Sequence, residues 1–240
     1  RGDIQWPRPP LVIKGQVTGP VSWGLMIVDQ NQRPILYDEV LADAVAKHLS
    51  IKARWQETEL AKLVPRTLMV IDEPYMASFG SAFVALSREQ VIGLLNEVMS
   101  GLRGLKGVHC CGNTDWSILL ETATDILSLD AYEYAETLAL YPEEVTRFLA
   151  RGGIIAWGIV PAGYTAETET VESLLIRLHE AMDHLIRKGV SQDALLQAGM
   201  VTPSCGLGSL TPEIAEHVCQ LTAGVSAEMR RRYVPSSGSA

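Results

Sequence analysis

The chain has no apolar run that approaches the roughly 18 residues a membrane-spanning helix needs, which excludes a helical span within these 240 residues. Positive charge is scarce: 20 Lys and Arg stand against 28 Asp and Glu, for a net charge of −8. Phosphate binding needs a clustered basic surface. The one tight basic run, Arg230-Arg231-Arg232, ends a helical pattern, where it complements the helix dipole. Nucleic acid is therefore not an expected partner, and neither is a membrane. Only four cysteines are present, two of them adjacent, which is no disulfide framework. The opening RGDIQWPRPP carries no secretory leader pattern, and a reducing cytoplasm is the expected compartment. Those residues read as the arrival from an earlier segment and their RGD as a chance tripeptide. The closing VPSSGSA reads as a frayed polar tail.

What is present is an alternation of short β-type runs with longer helical patterns. Strands are expected within 10–20, 67–74, 106–113, 125–131, 153–161 and 194–208. Helices are expected over 35–63, 87–105, 116–123, 142–152, 169–189 and 211–233. Ser87 and Thr211 are the expected caps of two of these, and Pro142-Glu143-Glu144 opens another that stops at glycine. Serial βα units imply a parallel sheet with right-handed crossovers. A doubly wound dinucleotide fold should carry a glycine fingerprint after its first strand, and KGQVTGPVSWG lacks that spacing. Residues with chemistry instead fall just after strands: Asp72-Glu73, His109 to Cys111, Asp130 and Cys205. Strand C-terminal ends converging on one face are what a (β/α)8 barrel builds. The expected fold is that α/β TIM barrel, in one domain over 1–240, with about its last six βα units in this chain and its N-terminal portion missing.

The stretch GVHCCGNTDWS crowds a histidine and two cysteines into three positions. Residues i and i+2 at a strand end point the same way, so His109 and Cys111 can converge while Cys110 points away. Imidazole plus thiolate suits zinc, although a buried thiol beside a core histidine accounts for the pair equally well. Cys205 in TPSCGLGSL shifts the balance, because a cysteine held between Pro203 and Gly206 looks positioned, whereas Cys219 in AEHVCQL looks like ordinary helix packing. Asp72 ends its strand, where it can serve an ammonium partner or cap the next loop with similar ease. Glu73 points the other way and reads as structural. His48, His179, His184 and His217 lie in helical patterns and read as surface or packing residues.

Together HCCGN, VIDEP, KGQVTGPV and TPSCGL resemble the catalytic barrel of cobalamin-independent methionine synthase and its zinc-methyltransferase relatives in the uroporphyrinogen decarboxylase-like superfamily. The resemblance runs through nearly the whole chain. It implies a methyltransferase whose Zn²⁺ is held by His109, Cys111, Cys205 and a carboxylate. Asp130 at the end of DILSLD takes the carboxylate place, with Glu133 as the alternative, and Asp72 holds the amino group of a homocysteine-like thiol. The methyl donor implied is a corrinoid or a folate. Trp23 follows Gly19-Pro20-Val21 too closely to match the family's folate-stacking tryptophan. Two rivals are a uroporphyrinogen decarboxylase-like enzyme, which needs no zinc, and a non-catalytic corrinoid- or partner-binding barrel. Redox use of Cys110-Cys111 would strain the backbone.

Overall fold

The computed structural model describes residues 10–81 and 84–234. The readings of the opening RGD segment and of the tail beyond Val234 lie outside the described residues. Six strands form a parallel sheet in strict chain order, β1-β2-β3-β4-β5-β6. They are β1 (Ile13–Thr18), β2 (Thr67–Asp72), β3 (Leu105–Cys110), β4 (Ile126–Leu129), β5 (Ile154–Val160) and β6 (Gly199–Pro203). A doubly wound sheet reverses its strand order at a switch point. The unbroken chain order here has no such reversal and is consistent with a partial barrel-like fold.

The described residues fall into two compact units, divided within β3 just after His109. The first unit runs to His109 and takes in Thr122–Asp125. Its strand β2 is buried on both faces, as a parallel strand covered by helices must be. Helix α2 (Glu39–Ala61) turns Ala42, Val45, Ala46, Leu49 and Ala53 inward at helical spacing. Helix α3 (Arg88–Ser100) does the same with Val91, Leu95, Val98 and Met99. Ser87 caps α3 in a reciprocal box with Gln90, so the serine expected from sequence is the one used.

Two buried carboxylates hold the loops of this unit. Glu57 on α2 accepts from the Thr67 hydroxyl and from the N–H groups of Arg103 and Gly104, which fixes the turn leading into β3. Glu73, wholly buried, follows β2 and reaches the short helix α1 (Pro20–Met26). It accepts from the N–H groups of Val21 (2.9 Å) and Ser22 (2.8 Å) and from the Ser22 hydroxyl (2.6 Å). Helix α1 was not expected, because its N-cap is Gly19, which has no side chain to offer. The cap comes instead from Glu73, 52 positions from Val21. Gly19 is required there, since a Cβ would collide with the Glu73 carboxyl. The structural role expected for Glu73 is thus given a partner.

The second unit comprises Cys110–Glu121 and the residues from Ile126 onward. Its helices are α4 (Trp116–Glu121), α5 (Ala131–Leu138), α6 (Pro142–Ala150), α7 (Val171–Ile186), α8 (Gln192–Gln197) and α9 (Pro212–Tyr233). Strand β5 is buried almost throughout. Helix α9 buries Ile214, Val218, Leu221 and Val225 at spacings of 4, 3 and 4, with Thr211 as its cap. The Arg231 and Arg232 guanidiniums pair with Glu228 in the last turns of α9. The short helices α5 and α8 were not expected. Helix α5 starts one residue after Asp130, which caps it, where the sequence reads as strand through 131. No helix among the described residues is long and apolar enough to cross a membrane.

Candidate metal centre

Each site residue sits at or just beyond the C-terminal end of a strand, where main-chain pairing stops and side chains leave the packed sheet. His109 is the penultimate residue of β3, held in register opposite Asp72 of β2. Cys110 ends the strand wholly buried, with its thiol directed at the Gly112 carbonyl, 3.4 Å away. Cys111 follows half-buried, and Cys205 is exposed just beyond β6. The three adjacent residues therefore have different surroundings, as strand alternation leads one to expect.

His109, Cys111 and Cys205 each bring one ligand atom to within 4.8 Å of the others. In a tetrahedral zinc site with metal–ligand bonds of about 2.0–2.3 Å, donor atoms lie roughly 3.5–3.8 Å apart. The three donors are therefore spaced to share one cation after small side-chain adjustments. One imidazole with two thiols is a soft donor set that suits zinc and ill suits magnesium or calcium. Burial pushes the Cys111 thiol pKa up, and the neighbouring Cys205 thiol and Asp130 carboxylate push it the same way. Such a cluster of acidic groups lacks a positive charge among them, and a bound cation reverses the effect.

Asp130 is not part of this three-residue group. One of its oxygens accepts from the Glu133 N–H at 3.0 Å and caps α5. Burial raises its pKa, partly offset by that backbone bond. Asp130 is nonetheless close enough to Cys111 for its charge to act on that thiol. Glu133 is exposed. Asp72 is partly buried, with its pKa raised by burial and lowered in part by Lys14.

The sequence reading overlooked two residues that shape the ends of these strands. Ser204 is only 5% exposed. Its N–H donates to the Val160 carbonyl at 2.8 Å, and its hydroxyl accepts from the Ala162 N–H at 3.1 Å. Gly158, in the middle of β5, is the other. A Cβ there would lie 2.8 Å from Ser204 Cα and would collide with the Leu129 carbonyl. A lone glycine inside an apolar strand such as IIAWGIV is itself a sign of close backbone approach. Away from these strand ends, an open groove of about 770 Å³ lies between α2 and α3, floored by Leu36, Ala42 and Ala46, and none of the ligand residues lines it.

No family model matches the chain, and no curated protein matches it. Among solved structures, the chain is similar to a Listeria monocytogenes protein described as a vitamin-B12-independent methionine synthase. The identity is 15% and the TM-score 0.60, with 94% of this chain covered. The chain spans 65% of the length of that protein. At this identity the likeness is one of fold.

Proposed function

We propose that the chain carries the zinc site of a methyltransferase that moves a methyl group from a corrinoid or folate donor to a small thiol of the homocysteine type. The observation that carries this reading is the convergence of His109, Cys111 and Cys205, three residues brought from two strand ends almost a hundred positions apart. In the same reading the six strands are part of an eight-stranded barrel. The likeness in fold to a methionine synthase-type structure supports it. A decarboxylase of related fold has no use for three soft donors at one point.

His109 supplies a neutral nitrogen, and Cys111 and Cys205 supply sulfur as thiolates. Bound there, zinc would supply a lowered pKa to a substrate thiol, whose proton would pass to solvent at neutral pH to leave a nucleophilic sulfur. The two thiolates keep the centre electron-rich, so that the substrate sulfur stays reactive. Asp130 would serve as a further ligand or accept a proton beside the site. Asp72, partly buried and more easily protonated than an exposed carboxylate, gains a charged partner in the ammonium group of the substrate.

Purified chain is expected to hold about one zinc ion. X-ray absorption at the zinc edge should show the sulfurs of Cys111 and Cys205, plus one more when homocysteine is added. No zinc in carefully prepared wild type sinks the reading. Zinc without an added sulfur leaves a structural metal and the binding-module alternative.

Asp130→Asn tests the carboxylate. Asparagine keeps the helix cap, so unfolding by urea should change by no more than a few tenths of a kcal/mol. Zinc affinity should still fall by about tenfold. Equal affinity in the variant would limit Asp130 to capping α5.

A further inference from the structure

Cys205 has a problem that Cys111 does not. Cys111 directly follows a strand of the sheet, whereas Cys205 is exposed on a loop flanked by Ser204 and Gly206. An exposed loop thiol samples many positions, and a shared cation tolerates few. What limits it is the residue before it. Ser204 is pinned twice to the end of β5 and the residues just after it, through its own N–H to the Val160 carbonyl and through its hydroxyl, which accepts from the Ala162 N–H.

The pairing of β5 with β6 slips by one residue between Gly158 and Val160, so that Val160 faces Pro203 where regular register would place the next residue. The slip adds a residue to β5 opposite the end of β6, and at Gly158 only a residue without a Cβ leaves room for the Ser204 backbone. The carbonyl of Leu129 touches the same spot from β4, and Asp130 is the next residue. One glycine thus receives the strand ends that carry Cys205 and Asp130.

We propose that Ser204, seated on Gly158, is the positioning residue that holds Cys205 Sγ at bonding distance from a cation shared with Cys111. The inference rests on the metal reading given above. The Ala162 N–H to Ser204 Oγ bond is the adjustable part of the device. The backbone bond to Val160 survives any substitution except proline, but the hydroxyl is lost in alanine and kept in threonine. Without it, the loop swings on one bond rather than two. The cost then falls on the cation, which must pay the ordering of Cys205 itself.

The test uses cobalt(II) as a spectroscopic stand-in for zinc, titrated into the full chain of wild type, S204A and S204T. Wild type should show the thiolate-to-cobalt charge-transfer band of two sulfur ligands. S204A should bind cobalt about tenfold more weakly, in line with the usual effect of losing an outer hydrogen bond at a metal site. Its charge-transfer intensity should drop toward that of one sulfur. S204T should restore both. A serine that merely ties two loops together would lower the melting temperature of the metal-free S204A chain and leave cobalt affinity and spectrum at wild-type values, which overturns the proposal. Failure of S204A to fold, seen by circular dichroism, shows a structural role and overturns it too. Absence of cobalt and zinc binding in wild type would instead remove the metal reading on which the proposal stands.

Discussion

Cys205→Ala should weaken zinc binding by at least about a hundredfold and leave the fold intact. Loss of an outer hydrogen bond at a metal site costs about 10–100-fold in affinity, and loss of a ligand costs more. The second half of the prediction follows from exposure. Cys205 fills no core, and surface substitutions away from special features stay within about 0.5 kcal/mol of wild type. The neighbour in sequence of the other cysteine ligand behaves in the opposite way. Cys110 is wholly buried, so Cys110→Ala should lower stability and leave zinc bound. Zinc content by emission spectroscopy, read beside urea unfolding of metal-free protein, separates the two variants. A Cys205→Ala chain that keeps its zinc would show that the sulfur is not a ligand. A Cys110→Ala chain that loses it would show that the alternation along β3 has been misread.

The second large effect is on stability. Glu73→Ala should lower the unfolding free energy by on the order of 3 kcal/mol, because three donors aimed at the carboxyl lose their acceptor in a site closed to water. Glu73 also makes stability depend on pH. Burial pushes its pKa up to about 7 from the ordinary 4.5, against the lowering effect of the Ser22 hydroxyl and the Val21 and Ser22 N–H groups. A carboxyl whose pKa is higher folded than unfolded binds its proton more tightly in the folded state. The corresponding stability is fully present below pH 4.5 and is lost as pH rises through about 7. Glu73→Gln cannot titrate. The stability of wild type relative to Glu73→Gln should therefore fall between those two pH values and level off above them. A flat difference across that window would mean that the three donors hold Glu73 ionised throughout.

Much of this molecule is written locally in its sequence. The caps at Ser87 and Thr211 lie where the residue types place them, because each satisfies the N–H groups of its own first turn. The same holds for Pro142 at the start of α6. Strands β2 and β5 are legible because a parallel strand buried on both faces reads as a short apolar run, as TLMVID and IIAWGIV do. His109 and Cys111 could be paired on paper because strand alternation is a property of the backbone alone.

The tertiary structure decided the rest. Helix α1 begins at a glycine and takes its cap from Glu73, so no rule confined to neighbouring residues could find it. Asp130 looks the same in sequence whether it caps a helix or binds a metal, and only the fold shows one oxygen committed to the Glu133 N–H and the thiol of Cys111 within its electrostatic reach. Cys205 was legible as a cysteine in a turn. Its closeness to Cys111 and His109 depends on how closely the end of β6 approaches Gly158 and where Ser204 is pinned. Sequence fixes the direction of a side chain through backbone periods of two and 3.6 residues. The distance between residues almost a hundred positions apart is set by the packing of the strands between them.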